Sequence, residues 1–232
     1  MAAETKTDRV NRIVLVEDHP IFRLGMSTLI NEETDLEVCG QAETAAGGLS
    51  AIGKHVPDLA IVDISLLEGD GIELVKEIGR HYPGLPVLVL SMHDESLYAE
   101  RALMAGARGY IMKEEAMGSV VEAIRQVLTG KIYASEDVRE AMLSRMVDGF
   151  ASAGRSPVDR LTDRELEVFR LIGEGLTSRQ IAEKLALSIK TIGTYRERIK
   201  EKLDLKNASE LVRCAVHFLG SHVGNFPTPP PV

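Results

Sequence analysis

Leu59-Ala60-Ile61-Val62-Asp63 is a run of four apolar residues closed by a carboxylate, with Pro57 shortly before it. Too short for a helix and without polar alternation, such a run reads as a strand buried on both faces. Similar β-branched or aliphatic runs occupy residues 13–16, 36–39, 87–90 and 109–112. Between them, apolar residues fall at helical spacing, as at Ile21, Leu24, Leu29 and Ile30, or at Ile72, Leu74, Val75 and Ile78. Strands alternating with helices predict βαβ crossovers, hence a doubly wound parallel sheet of five strands in an α/β domain over residues 11–129. Gly84 and Pro86 break the chain where that pattern needs a boundary.

Residues 130–160 lose the alternation. They predict one helix near 135–147, then a linker containing Gly149, Gly154, Ser156 and Pro157. Beyond it no strand-like run appears, and local signals predict an all-α domain of four helices over 161–219. Thr162 with Glu165, and Thr177 with Gln180, form capping boxes ahead of apolar periodicity. Gly175 stops the first of these helices. Ser188 caps a third helix carrying Ile192, Ile199 and Leu203, and Asn207 or Ser209 opens a fourth through Leu211, Val212, Ala215 and Leu219. Residues 220–232, rich in proline, predict a disordered tail.

A length of 232 residues suits two domains. The net charge of −8 is unevenly spread: residues 1–150 hold 14 Lys+Arg against 25 Asp+Glu, whereas residues 161–219 hold 11 against 9. Residues 190–206 alone carry six basic side chains against three acidic ones, a footprint that suits a phosphate backbone as well as a solvated helix face. No apolar run approaches the ~20 residues that span a bilayer, and residues 1–9 lack a signal-peptide core, so no membrane contact and a cytoplasmic location are expected. Cys39 and Cys214 have no partners at metal-ligand spacing and read as reduced thiols.

Ligands of open parallel sheets bind beyond the carboxyl ends of the strands. There the sequence places Glu17 and Asp18 at the end of the first strand, Asp63 at the end of the third, Ser91 at the end of the fourth and Lys113 at the end of the fifth. Clustered carboxylates repel one another unless a hard cation such as Mg²⁺ joins them. A lysine and a hydroxyl opposite suit the oxygens of a transferring phosphoryl group, and Asp63 is the candidate nucleophile. Each residue alone has a plainer explanation as a loop acid or a solvated lysine. Convergence of all five carries the inference.

Val16-Glu17-Asp18-His19-Pro20, Val62-Asp63-Ile64-Ser65 with Gly71, Leu90-Ser91-Met92 and Gly109-Tyr110-Ile111-Met112-Lys113 resemble the receiver domains of two-component response regulators. Leu161-Thr162-Asp163-Arg164-Glu165 through Lys202-Leu203 resembles the LuxR-type helix-turn-helix, so residues 11–219 look like a member of the NarL/FixJ subfamily. The resemblance implies a flavodoxin-like sheet of order 2-1-3-4-5 followed by a four-helix DNA-binding domain. It implies that Asp63 takes a phosphoryl group from a sensor histidine kinase. Glu17, Asp18, Asp63 and the backbone carbonyl of Ser65 would hold Mg²⁺, with Ser91 and Lys113 on the phosphoryl oxygens. Tyr110 would be an aromatic switch following Ser91, or simply a partly buried tyrosine. Family receivers often carry Met-Pro where Leu66-Leu67 stands, so a less rigid loop is expected.

In the second domain the resemblance sends the 188–202 helix into the major groove of double-stranded DNA. Lys190, Thr191, Thr194, Tyr195, Arg198 and Lys202 are left for outward contacts, and Gly193, Thr194 and Glu197 take base-facing positions. Ile181, Ala182, Leu185, Ile192 and Ile199 read as buried. Gly193 departs from the long side chain common there, either to allow close approach to DNA or as a neutral change. Leu211, Ala215, Val216 and Leu219 complete the small core, supply a homodimer contact on phosphorylation, or do both. Two rivals fare worse. An aspartate-nucleophile phosphatase wants a second acid where Ser65 stands, and a nucleotide-binding module wants a glycine-rich loop after the first strand. A regulator that binds DNA without phosphorylation leaves the acidic set unexplained.

Overall fold

The computed structural model describes residues 9–66, 69–92, 95–147, 157–185 and 187–222. The chain divides into two compact units, residues 1–150 and 151–232. The first runs β1 (Asn11–Val16), α1 (Pro20–Asn31), β2 (Leu36–Ala42), α2 (Ala45–His55), β3 (Leu59–Asp63), α3 (Gly71–His81), β4 (Val87–Ser91), α4 (Glu95–Ala105), β5 (Gly109–Met112), α5 (Lys113–Leu128) and α6 (Glu136–Val147). The strands are parallel in the order β2-β1-β3-β4-β5, as expected.

Alternation along each strand splits the core into two layers. Ile13, Leu15, Leu59, Ile61, Leu88, Leu90 and Ile111 pack with Met26 and Ile30 of α1 and with Val120, Ile124 and Val127 of α5. On the other face α2 comes so close to the sheet that a Cβ on Gly48 would fall 2.8 Å from the Val16 side chain. β3 and β4 are buried along their whole length, which explains their uninterrupted apolar runs.

The β5 edge is covered by the residues that follow α5. Tyr133 accepts a hydrogen bond from the Tyr110 N–H at 2.9 Å and donates its own N–H to the Arg108 carbonyl at 3.0 Å. Such cover prevents unwanted pairing at a sheet edge. The Ser135 N–H then donates to the Glu95 carboxylate at 2.9 Å, and α6 packs against α4 with Val138 buried. The helix expected in the linker thus belongs to the first unit.

In the second unit a 3₁₀ turn (Pro157–Arg160) precedes α7 (Asp163–Gly173), α8 (Ser178–Lys184), α9 (Ile189–Lys202) and α10 (Ala208–His222). Both capping boxes form, the Ser188 side chain caps α9, and the Asn207 carboxamide accepts the Glu210 N–H at 2.9 Å to open α10. Gly175 adopts a φ of +87° beyond α7, a backbone conformation that favours glycine. Phe169, Ile172, Ile181, Ile192, Ile199 and Leu211 fill the core. Leu185, expected buried, is only half-buried because it lies at the C-terminal cap of α8. No helix among the described residues is long and apolar enough to cross a membrane.

Candidate functional site

Strand register builds the first site. Val16 pairs with Val62, Asp63 with Leu90, and Ser91 with Met112. Glu17, Asp63, Ser91 and Lys113 therefore emerge side by side at one end of the sheet, on strands about 4.8 Å apart. Lys113, expected to end β5, is instead the first residue of α5, which turns its side chain back over the strand ends. Glu17, Asp63 and Ser91 are fully buried and Lys113 nearly so.

The Lys113 ammonium lies 2.7 Å from Glu17 Oε2 and 2.9 Å from Asp63 Oδ2, with the Phe22 ring centroid 4.9 Å away. Asp63 Oδ1 accepts the Ser65 N–H at 2.8 Å. Burial, and then the charge of Asp63, hold the Glu17 carboxyl above its ordinary range, with Lys113 pulling the other way. His19 Nδ1 sits 2.9 Å from Asp18 Oδ1 and 3.2 Å from Glu17 Oε1. One ligand atom from each of Glu17, Asp18, His19 and Asp63 lies within 4.8 Å of the others.

Three carboxylates against one ammonium leave two negative charges when all are ionised, and these hard oxygen donors suit a hard divalent cation. Sequence reasoning quoted His19 but gave it no role, and missed Phe22. The adjacency of His19 to the acidic pair was the available signal. It also gave no reason for Gly71, where a Cβ would fall 2.4 Å from the Asp63 carbonyl oxygen and 2.3 Å from Ile64 Cα. Ser91 ends β4, and Tyr110 is buried on β5 on the same face of the sheet. Leu67 lies outside the described residues.

The second site is α9. Lys190, Thr194, Glu197 and Arg198 are exposed, and Thr191, Gly193 and Tyr195 are partly exposed. The Thr191 N–H donates to the Ser188 cap at 3.0 Å, and Glu197 pairs with Lys200 at 2.8 Å. A Cβ on Gly193 would meet nothing within 4 Å, so packing does not require glycine there. Lys202 is half-exposed and pairs with the buried Glu165 at 2.6 Å. Leu211, Ala215 and Leu219 are consumed by the core, where α10 crosses α7 so closely that a Cβ on Gly173 would fall 2.6 Å from the Ala215 carbonyl oxygen. Of the proposed contact residues only Val216 stays exposed, beside Val212.

Residues 13–125 match the response regulator receiver domain family, and residues 159–215 match the bacterial regulatory proteins of the luxR family. The chain is 34% identical over 212 residues to the oxygen regulatory protein NreC of Staphylococcus carnosus, covering 88% of this chain and 96% of that protein. It is 30% identical over 214 residues to the transcriptional regulatory protein DegU of Brevibacillus brevis, covering 87% and 91%. Among solved structures, the RcsB response regulator of Salmonella typhimurium matches with a TM-score of 0.53 at 28% identity, over 90% of this chain and 99% of that one. RcsB of Salmonella enterica serovar Typhimurium bound to the promoter rprA with the phosphomimetic BeF3⁻ matches with a TM-score of 0.54 at 26% identity, over 90% and 99%. With its parallel sheet, acidic crevice and capped helix-turn-helix, the chain belongs to the two-component response regulators of the NarL/FixJ family and regulates transcription.

Proposed function

We propose that Asp63 accepts a phosphoryl group from a sensor histidine kinase, and that this modification drives dimerisation and sequence-specific binding to operator DNA. The observation that carries the reading is the buried Lys113 ammonium bridging Glu17 and Asp63 in a crevice that still holds surplus negative charge. An Asp63 carboxylate oxygen would attack phosphorus, the new O–P bond replacing the N–P bond of a phosphohistidine, whose nitrogen departs with the electron pair and is protonated. Lys113 would balance one phosphoryl oxygen and the Ser91 hydroxyl would donate to another. Glu17, Asp18, Asp63 and the Ser65 carbonyl would hold Mg²⁺, which supplies positive charge against the transferring oxygens.

Once Ser91 is drawn to the phosphoryl group, Tyr110 would reorient and reshape the surface beside β4 and β5. Complexes of the similar RcsB, described as dimers on DNA, support the DNA and dimer parts of the reading. Lys190, Thr191, Thr194, Tyr195 and Arg198 would serve the phosphate backbone and groove, while Gly193 and Glu197 face bases. Val216 and Val212 offer the dimer contact. Such work belongs in the cytoplasm, with the chromosome.

Incubation with acetyl phosphate and Mg²⁺ is expected to add one hydroxylamine-labile phosphoryl group by intact mass, absent in Asp63→Asn, and to tighten DNA binding. An unchanged wild-type mass overturns the proposal.

A further inference from the structure

Little apolar packing holds the recognition helix. Over 14 residues α9 fully buries only Ile192 and Ile199. Seven positions apart, they lie on one stripe nearly parallel to the helix axis. These two side chains fix where α9 lies, and its roll about their stripe depends on the partly buried residues beside them and on polar pairs. A roll of about 10° moves a side-chain tip ~10 Å from the stripe by roughly 2 Å, more than a hydrogen bond tolerates.

Lys202 lies roughly 60–80° around the helix from that stripe, at the C-terminal end of α9. Its ammonium sits 2.6 Å from Glu165 Oε2. The same oxygen accepts the Thr162 N–H at 2.8 Å, and the Glu165 N–H returns a bond to Thr162 Oγ1. The carboxylate is buried and pinned by the capping box of α7, so it cannot follow a rolling lysine. Phosphate contact is left to cations such as Lys190 and Arg198, which are exposed.

We infer that Lys202 is a positioning residue: held by the capping-box carboxylate of Glu165, it sets the roll of α9 and thereby which bases the helix reads. The inference rests on α9 being the DNA-reading element.

The test uses the full chain treated with acetyl phosphate and Mg²⁺, and sequences it enriches from a random duplex library. Affinities are measured for the selected site and its single-base variants at several salt concentrations. In the wild type each unfavourable base is expected to weaken binding by about tenfold or more. Lys202→Met is expected to flatten those ratios to about threefold or less, with the salt slope unchanged and Lys202→Arg restoring discrimination. Glu165→Gln, which keeps an oxygen for the Thr162 N–H while removing the charge, is expected to behave like Lys202→Met and guards against simple unfolding. Uniform weakening on every sequence with the salt slope shallower by about one would make Lys202 a phosphate contact and overturn the proposal. Undiminished discrimination in both variants overturns it too. Failure of the wild type to enrich any sequence overturns the DNA-reading assignment beneath it.

Discussion

Replacing Lys113 with methionine keeps most of the side-chain volume and removes the ammonium that separates Glu17 from Asp63. At 2.9 Å and an effective dielectric of about 20, the Lys113–Asp63 contact corresponds to about 6 kcal/mol of Coulomb attraction before desolvation is counted. The net worth of a buried pair is far smaller, but stripping one partner from it typically costs about 3–5 kcal/mol because the remaining charge stays buried. Glu17 offers an escape, since its carboxyl is already held above the ordinary range by burial and by Asp63. A carboxyl with a raised folded-state pKa contributes stability that is complete below its unfolded value of about 4.3 and is lost as pH rises through the folded value. Lys113→Met is therefore expected to lose about 3 kcal/mol at pH 8 in the presence of EDTA, less at pH 5, and less again when Mg²⁺ supplies the missing positive charge. Denaturant-dependent amide exchange of β3 and β4 in the full chain measures this. A loss below about 1 kcal/mol at pH 8, or one that grows toward pH 5, would refute the reasoning.

Gly71→Ala pushes a Cβ into backbone at 2.3 Å, so a loss of about 1–3 kcal/mol and slower phosphoryl uptake by Asp63 are expected in exchange and intact-mass measurements. Arg125→Ala removes contacts to Asp35 and Glu33 at 2.6 Å, but these groups are half-exposed, so thermal unfolding should show a loss of at most about 1 kcal/mol. Because hydrogen bonding from Arg125 lowers the Asp35 carboxyl, that contribution is present above the unfolded value of about 3.9, and the difference from wild type should vanish as pH falls through the lower folded value. Gly193→Ala should stabilise the second unit by about 1 kcal/mol in a thermal melt, since the added methyl meets nothing within 4 Å. The same methyl is expected to weaken DNA binding in a titration, and an unaltered affinity would remove the close-approach role.

Periodicity and capping are local signals, and what depends on them could be read directly. The apolar runs became β1 to β5, the first four extended at one end and the fifth unchanged, and Thr162, Thr177 and Ser188 cap the helices they were expected to cap. Strand-end placement was legible for Glu17, Asp63 and Ser91 because parallel strands of similar length end together. Partner choice across the fold was not legible. Nothing near Lys202 announces Glu165, which lies 37 residues earlier on another helix. Helical spacing identified Leu211, Ala215 and Leu219 as one apolar face without saying what it meets, and α7 turned out to meet it. The cover over the β5 edge is backbone hydrogen bonding by Tyr133, which leaves no trace in side-chain pattern.

Two lysines at element boundaries, Lys113 and Lys202, each neutralise a buried glutamate, yet the surroundings assign them opposite kinds of work. At Glu165 the account is closed, since one carboxylate faces one ammonium and its remaining demand is met by the capping box. The pair carries no net charge of its own to attract a ligand, so its consequence is geometric, fixing a helix against its neighbour. Around Lys113 the carboxylates of Glu17, Asp18 and Asp63 outnumber the cation, and burial raises the free energy of the excess. On the proposed reading a divalent cation would relieve that excess, and a phosphoryl group could then enter against positive charge. Surplus charge in a buried cluster thus separates a site awaiting chemistry from a finished structural pair, a distinction that residue type alone cannot make.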